Sequence, residues 1–378
     1  MQHKRTSAAW CLASRTLSLL FLVGALLMWL YSRSLAAALR GAAAAAAAAP
    51  GGGAHAAAAL SAPPPPPLLS PLAAAHAQRY GAITTSTAAG FCAAAVEDPE
   101  PALAGAFQRV LFEGSPRYWM VPPMPDFAFW VYEGIANGGA VVSVMHKQYG
   151  VFQDYFRDSP PGAILLDVGG NVGLTSMPVA AMGRRVFVFE PVPLNLRVLK
   201  LAACFNGFGD RFTLVGAAVG AAEGTVDVFV PHGRSDNAAL GESVSTANVG
   251  GQAARTPVPM VALDAWAAGA LSPADLASVW LVKIDVQGFE LRVMEGARGL
   301  LAALPPAAWV VAEHDPNLMA KAGLPDATGD IAFMASLGFT AHLTWQGEEV
   351  PESGWATVPL EEYGRDMWYR KARQAAAA

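Results

Sequence analysis

Acid is missing from the first quarter of this 378-residue chain: residues 1–96 hold no Asp or Glu, only Lys4, Arg5, Arg15, Arg33, Arg40 and Arg79. All 30 acids begin at Glu97 and face 19 Lys and Arg, so a net charge of −5 hides a clearly acidic remainder. Such a surface excludes nucleic acid as a partner, because phosphate binding needs a basic face. Cysteine is scarce as well. Cys11, Cys92 and Cys204 fit no metal-ligand spacing and are too few for a disulfide scaffold, although an oxidising compartment leaves a Cys92–Cys204 bridge open. No Asn-x-Ser/Thr sequon occurs, so glycosylation gives no hint of compartment.

What the N-terminal part does have is apolar and low-complexity sequence. Thr16 to Ser32 is uncharged, and its seventeen residues would span about 26 Å as a helix, at the short end of what crosses a bilayer. Arg33 can snorkel outward and extend the span into Leu35–Leu39, with Trp29 and Tyr31 at aromatic-belt positions. The preceding Lys4, Arg5 and Arg15 put the N-terminus in the cytosol. Residues 1–15 therefore read as a cytosolic tail and 16–35 as an uncleaved transmembrane signal anchor. The chain is then a single-pass type II membrane protein of the secretory pathway, facing the Golgi lumen. A cleaved signal peptide and an acid-poor organelle transit peptide are the alternatives. The alanines 42–49, Gly51–Gly53 and prolines 63–67 cannot build a core, so 36–100 reads as a disordered stem.

Residues 101–160 form an aromatic lead-in, with Phe107, Phe112, Trp119, Phe127, Phe129, Trp130 and Tyr132 around VPPMP. It suits either a lid or packing onto the core. From Gly162 strands and helices alternate. AILLDV (163–168), RVFVFE (185–190), FTLVGAAV (212–219), VWLVKID (279–285) and AWVVAEH (308–314) are short apolar runs of the kind buried on both faces. TVDVFV (225–230) alternates with period two. Helices are predicted over 172–182, shortened by Pro178, over Leu194–Phe205 and around Glu290–Ala303. FTAHLTW (339–345) and DMWYRK (366–371) read as a closing pair. The pattern over 161–372 predicts a doubly wound, mainly parallel α/β sheet.

In such a sheet, ligands bind where strands end at their carboxyl edge. DVGGNVG (167–173) ends the first strand there, and its glycines let backbone approach a ligand near a helix N-terminus at Val172. Glu190 ends the next strand, placed either to accept hydrogen bonds from ribose hydroxyls or to cap the helix after Pro191 and Pro193. Asp167 opens the turn with a carboxylate. That suits a positively charged ligand, such as the amino group of S-adenosylmethionine, better than a pyrophosphate.

DVGGNVG, FEPVPLN (189–195), GAAVG (216–220), VALD (261–264), VKIDVQGFE (282–290) and AEHDP (312–316) follow in order. Together they resemble the FkbM-type methyltransferases over about residues 140–371. The resemblance implies a Rossmann-like class I methyltransferase fold, with a seven-stranded sheet and an antiparallel closing strand. It also implies S-adenosylmethionine as cofactor and O-methylation of sugar or polyketide hydroxyls. Cofactor contacts are implied at Asp167, Gly169, Asn171, Gly173, Glu190, Asn195 and Ala218. The family usually has Ala at 170, where Gly adds flexibility, and Glu at 287, where Gln cannot serve as acid or base.

Methyl transfer to a hydroxyl needs positioning and a proton acceptor. Asp285, Glu313 and His314 end neighbouring strands and are the catalytic candidates, His314 being the better base by intrinsic pKa. Asp285 also suits a helix cap, and His314 a capping position before Asp315-Pro316. Two such carboxylates can hold one Mg²⁺, but no metal site is assigned. Lys283, mid-strand, reads as structural, with Glu190 or Asp264 as partner. Ser235, Asp236 and Asn237 lie in a polar loop able to reach cofactor or acceptor. A nicotinamide-dependent sugar oxidoreductase is disfavoured by the form of the glycine turn and the absence of a Tyr-x-x-x-Lys pair. An inactive glycan-binding protein is disfavoured by the complete cofactor motif. The partners expected are a small-molecule or glycan acceptor and the membrane.

Overall fold

A computed structural model describes residues 85–87, 89–90, 92, 107–112, 127–132, 150–231, 234, 237–247, 250–359 and 365–372. The predicted anchor, Trp119, VPPMP, Ser235 and Asp236 lie outside these. Among the described residues no helix is long and apolar enough to cross a membrane.

The strands in chain order are β1 (Thr85–Thr87), β2 (Phe107–Phe112), β3 (Phe127–Tyr132), β4 (Ile164–Val168), β5 (Arg185–Phe189), β6 (Phe212–Val215) and β7 (Ala218–Val219). They continue with β8 (Gly224–Pro231), β9 (Ala253–Val261), β10 (Val279–Ile284), β11 (Trp309–His314), β12 (Phe339–His342) and β13 (Arg365–Lys371). The main sheet has the order β1-β6-β5-β4-β10-β11-β13-β12. Its five central strands are parallel, while β13 enters antiparallel between β11 and β12. The resemblance implies seven strands in this sheet. The eighth is β1, which lies inside the stretch read as stem and pairs antiparallel with β6. Cys92, just beyond it, is joined by a disulfide to Cys204, with the Cα atoms 5.2 Å apart.

Helices cover both faces because the central strands are buried on both. On one face lie α1 (Gly150–Arg157), α2 (Ser176–Ala181) and α3 (Pro193–Phe205), packed on Leu165, Val188, Leu281, Val311 and Trp368. On the other lie α4 (Leu263–Ala270), α5 (Glu290–Glu295), α6 (Arg298–Ala303) and α8 (Gly329–Ser336), packed on Leu166, Ile284, Val310, Ala312 and Tyr369. Between α6 and α8, α7 (Pro316–Lys321) follows β11. The helix predicted over 172–182 is confined to α2, with Pro178 in its first turn, where a missing N–H costs nothing. The aromatic lead-in supplies the β2–β3 hairpin, and β3 runs beside α3.

Candidate functional site

Strand register places the charges. Asp167 on β4 lies opposite Lys283 on β10, two residues beyond Leu165 and Leu281, so both point to the face of the sheet that carries α1–α3. Asp167 is fully buried and Lys283 nearly so. The Lys283 ammonium lies 3.5 Å from Asp167 Oδ1 and 3.2 Å from Asp285 Oδ2, and donates to the Gly169 carbonyl at 3.1 Å. It therefore pins the turn after β4 to the turn after β10. The expected partners, Glu190 and Asp264, are not the ones it bonds; Asp264 instead accepts from the backbone N–H groups of Gly299 and Leu300. Burial pushes the Asp167 carboxyl up, the Lys283 ammonium counters this, and Asp285 adds to the rise. Ser176 is near enough to act on Asp167, yet its hydroxyl does not complete a hydrogen bond, so both Asp167 oxygens lack one.

The glycine turn is shaped by its protein neighbours. Gly169 (φ 83°), Asn171 (φ 49°) and Gly173 (φ 90°) have left-handed backbone. A Cβ on Gly169 would overlap the Asp285 carbonyl, and one on Gly170 would overlap a Val188 methyl group. The expectation that Gly170 only adds flexibility is thus corrected: its missing Cβ makes room for Val188. The helix N-terminus expected at Val172 begins at Ser176.

Glu190 braces this turn from β5. Its Oε2 accepts from the Asn171 N–H at 2.8 Å, and its Oε1 from the Val192 N–H at 2.8 Å and from Asn195 Nδ2 at 3.2 Å. A carboxylate oxygen accepts about two hydrogen bonds, which leaves capacity on Oε2 for one hydroxyl, where recognition of both ribose hydroxyls was expected. Asn195 therefore positions Glu190. Ala218 is buried against Val192, Val228 and Val258.

At the ends of β10 and β11 the chain builds a second cluster. Glu313 projects from the face that carries Val311. Gln287 Nε2 donates to Asp285 Oδ1 at 3.2 Å and to Glu313 Oε2 at 3.1 Å, bridging the two carboxylates. Glu290, fully buried, accepts from the N–H groups of Val286 (2.9 Å) and Gly288 (3.2 Å) and closes the turn between them. Burial pushes Glu290 up to about 8. Glu313 is held well above the usual carboxylate range, first by burial of its carboxyl and then by Asp285, Glu290, Asp366 and Asp315. Sequence reasoning noted Gln287 only as a lost carboxylate; its place between Asp285 and Gly288 at a strand end was the available signal.

His314 is not brought to this cluster. Strand β11 still pairs through His314, opposite Arg365, so alternation holds to its last residue and turns the imidazole to the other face. There, 2% exposed, it shares a hydrogen bond of 2.9 Å between Nδ1 and Asp330 Oδ2, which also accepts from the Tyr369 hydroxyl at 3.3 Å. The expectation that His314 reaches the mouth fails because the strand does not end before it. Asn237 accepts from Arg234.

This donor set combines three carboxylates at the turn (Asp167, Glu190, Asp285), one buried lysine and buried oxygens without hydrogen bonds. It fits a ligand carrying hydroxyl and ammonium groups and would repel a pyrophosphate. Residues 167–339, from that aspartate to the first residue of β12, match the family model of the methyltransferase FkbM domain. The chain carries a methyltransferase FkbM domain. It is an S-adenosylmethionine-dependent methyltransferase with a Rossmann-like class I sheet.

No curated protein matches the sequence. Among solved structures, the chain is similar to precorrin-6y C5,15-methyltransferase from Geobacter metallireducens GS-15, at 13% identity and a TM-score of 0.33 over 59% of this chain and 86% of that one. Ribosomal protein L11 methylase from Lactobacillus delbrueckii subsp. bulgaricus gives 13% and 0.30 over 60% and 80%. An rRNA methylase from Streptococcus thermophilus gives 11% and 0.32 over 58% and 94%. Nothing about the acceptor follows from these likenesses.

Proposed function

We propose that the FkbM domain methylates a hydroxyl of a sugar or glycan, with Asp285 accepting the hydroxyl proton and Glu313 holding its own. The observation that carries this reading is the Asp285–Glu313 pair beside the glycine turn. S-adenosylmethionine, when bound, supplies an electrophilic methyl group; the protein must orient the hydroxyl and remove its proton. Asp285 is the partner in contact with an ammonium, and its side chain is 32% exposed, open to an incoming group. Glu313 has its carboxyl buried and sits among carboxylates, which together favour its neutral form and let it donate to the acceptor. So acidic a mouth suits a neutral polyol.

Asp167, Glu190 and the carbonyl of Gly169 would hold the cofactor. Burial pushes Glu190 from 4.5 up to about 7, so the folded chain keeps a proton there that the unfolded chain has lost. That contribution to stability is present at low pH and is lost as pH rises through about 7. A hydroxyl donor favours the charged carboxylate, so cofactor affinity should rise over the same window. S-adenosylhomocysteine should bind the chain from residue 80 onward roughly tenfold more weakly at pH 6 than at pH 8. Glu190→Gln should abolish this pH dependence, and Glu190→Ala should weaken binding at pH 8 by about 1.5–3 kcal/mol. Calorimetry giving tight NAD(P) binding, or unchanged affinity in Glu190→Ala, would sink the assignment.

The location proposed is a secretory membrane, with 16–35 as an uncleaved anchor and the FkbM domain in the lumen. The uncharged run Thr16–Ser32 supports this, and so does the Cys92–Cys204 disulfide, a bond of oxidising compartments. The chain should sediment with membranes, resist carbonate extraction and be protected from protease in sealed vesicles. A mature form cleaved after the alanine-rich region and recovered from an organelle stroma would reverse this reading.

A further inference from the structure

The turn that ends β10 is built around a side chain that holds the two reacting carboxylates together and can itself act as neither acid nor base. Gln287 has φ 57° and is followed by Gly288 at φ 88°. A left-handed backbone is unfavourable for a residue with a Cβ. Here it is imposed from two sides. Glu290 accepts from the N–H groups of Val286 and Gly288, and Gly288 lies so close to the Leu318 backbone that a Cβ there would stand 2.7 Å from its carbonyl carbon. The result is a side chain aimed between two acids, its single amide nitrogen 3.2 Å from Asp285 and 3.1 Å from Glu313.

We propose that Gln287 takes the place of a bridging divalent cation between Asp285 and Glu313, so that the FkbM domain of this chain works with a metal-free carboxylate pair. The proposal rests on the reading of that pair as the reacting one. An amide NH₂ offers each carboxylate one hydrogen and carries no net charge. It can hold the pair together but cannot neutralise it, so the cluster relies on Lys283 for its positive charge and keeps a proton on one carboxylate. A cation would need the carboxylate oxygens at about 2.0–2.6 Å and more oxygen donors than two. Among the described residues no group of three His, Cys, Asp or Glu is placed to hold a metal ion. Changing Gln287 to Glu removes the bridging donor and adds a third carboxylate at the same point, which is the donor set a hard divalent cation takes.

The test is titration of the full-length chain in detergent with Mn²⁺, by calorimetry and by water proton relaxation, for wild type and Gln287→Glu. Gln287→Glu should bind Mn²⁺ at least about tenfold more tightly than wild type, since added ligand charge raises affinity. That gain should vanish when Glu313→Gln is added. Equal Mn²⁺ affinity in wild type and Gln287→Glu, or binding by neither, overturns the proposal. Should Gln287→Glu fail to fold, Gln287→Asp places the same charge on a shorter stem and is read in the same way. S-adenosylhomocysteine is titrated into the same samples; its failure to bind wild type counts against the methyltransferase reading alone and leaves the Mn²⁺ comparison intact.

Discussion

Asp285→Asn and Glu313→Gln are each expected to slow methyl transfer by about 10²–10⁴-fold, the usual loss when a positioned acid or base is removed. The proposed acceptor, a hydroxyl, is a weak nucleophile at neutral pH, and these two carboxylates stand together at the carboxyl edge beside the glycine turn. Affinity for S-adenosylhomocysteine should change little in Glu313→Gln, because the hydrogen bond of that residue is to Gln287 and not to the glycine turn. Asp285→Asn should show a modest loss, since the Lys283 ammonium then loses a carboxylate partner and leans more on Asp167 and the Gly169 carbonyl. His314→Ala should behave in the opposite way. It leaves Asp330 with the Tyr369 hydroxyl as its remaining hydrogen-bond donor, costing about 1–3 kcal/mol of stability, while the rate in the folded fraction stays near wild type. The measurement is transfer of labelled methyl groups from S-adenosylmethionine to a panel of neutral sugars, with urea denaturation of each variant alongside. Near wild-type rates in both carboxylate variants would move the proton acceptor elsewhere, and a rate collapse in folded His314→Ala would return it to the imidazole.

Loss of the disulfide should be the largest single blow to stability. Cys92 and Cys204 are 112 residues apart in sequence, and a cross-link closing so long a loop removes much unfolded-chain entropy. Removing a native bridge typically costs about 2–5 kcal/mol. Here the bond has a specific local task as well. It ties the segment after β1, an edge strand of three residues, to α3, the helix that begins just after Glu190. Three residues of antiparallel pairing are too few to hold an edge strand without help. Cys92→Ser, or reduction with dithiothreitol, should lower the urea midpoint by the equivalent of that cost. A chain truncated at residue 100 should match the reduced protein. Coincident unfolding curves for oxidised and reduced samples would show that the bridge constrains nothing.

The central strands were legible because burial on both faces leaves one kind of trace, a short unbroken apolar run, as in Ile164–Val168 and Val279–Ile284. The closing pair was legible for a related reason: Phe339–His342 and Arg365–Lys371 are apolar at the positions that meet the core. β1 was not. Thr85–Thr87 is a short polar triplet in alanine-rich sequence, and only its partner strand and the covalent link to α3 identify it. Within the site, Asp167 and Glu190 could be read from their positions at strand ends, whereas the partners of Lys283 depended on register between strands distant in sequence. His314 was misplaced by one physical detail, the length of β11. Had pairing with β13 stopped at Glu313, the imidazole would have been free to turn toward the mouth. The bridging role of Gln287 was hidden by its backbone: its place between Asp285 and Gly288 marks a strand-end turn, but not the positive φ that aims its amide between two acids.

The insertion of β13 between β11 and β12 also bears on how the domain is made. In order of synthesis β11 and β12 both emerge before the strand that joins them. Until Arg365 and the residues after it leave the ribosome, the nascent sheet presents the unpaired edge of β11, ending in Glu313 and His314. Parallel strands covered by helices can assemble early around β4, β5 and β10, but the side of the sheet that carries Glu313 is completed last, by a contact between distant segments. An open edge of this kind is a template for pairing with other chains. The interval between synthesis of β11 and arrival of β13 is therefore when a half-made molecule most needs a chaperone, and a strand far from the glycine turn sets when the enzyme becomes competent.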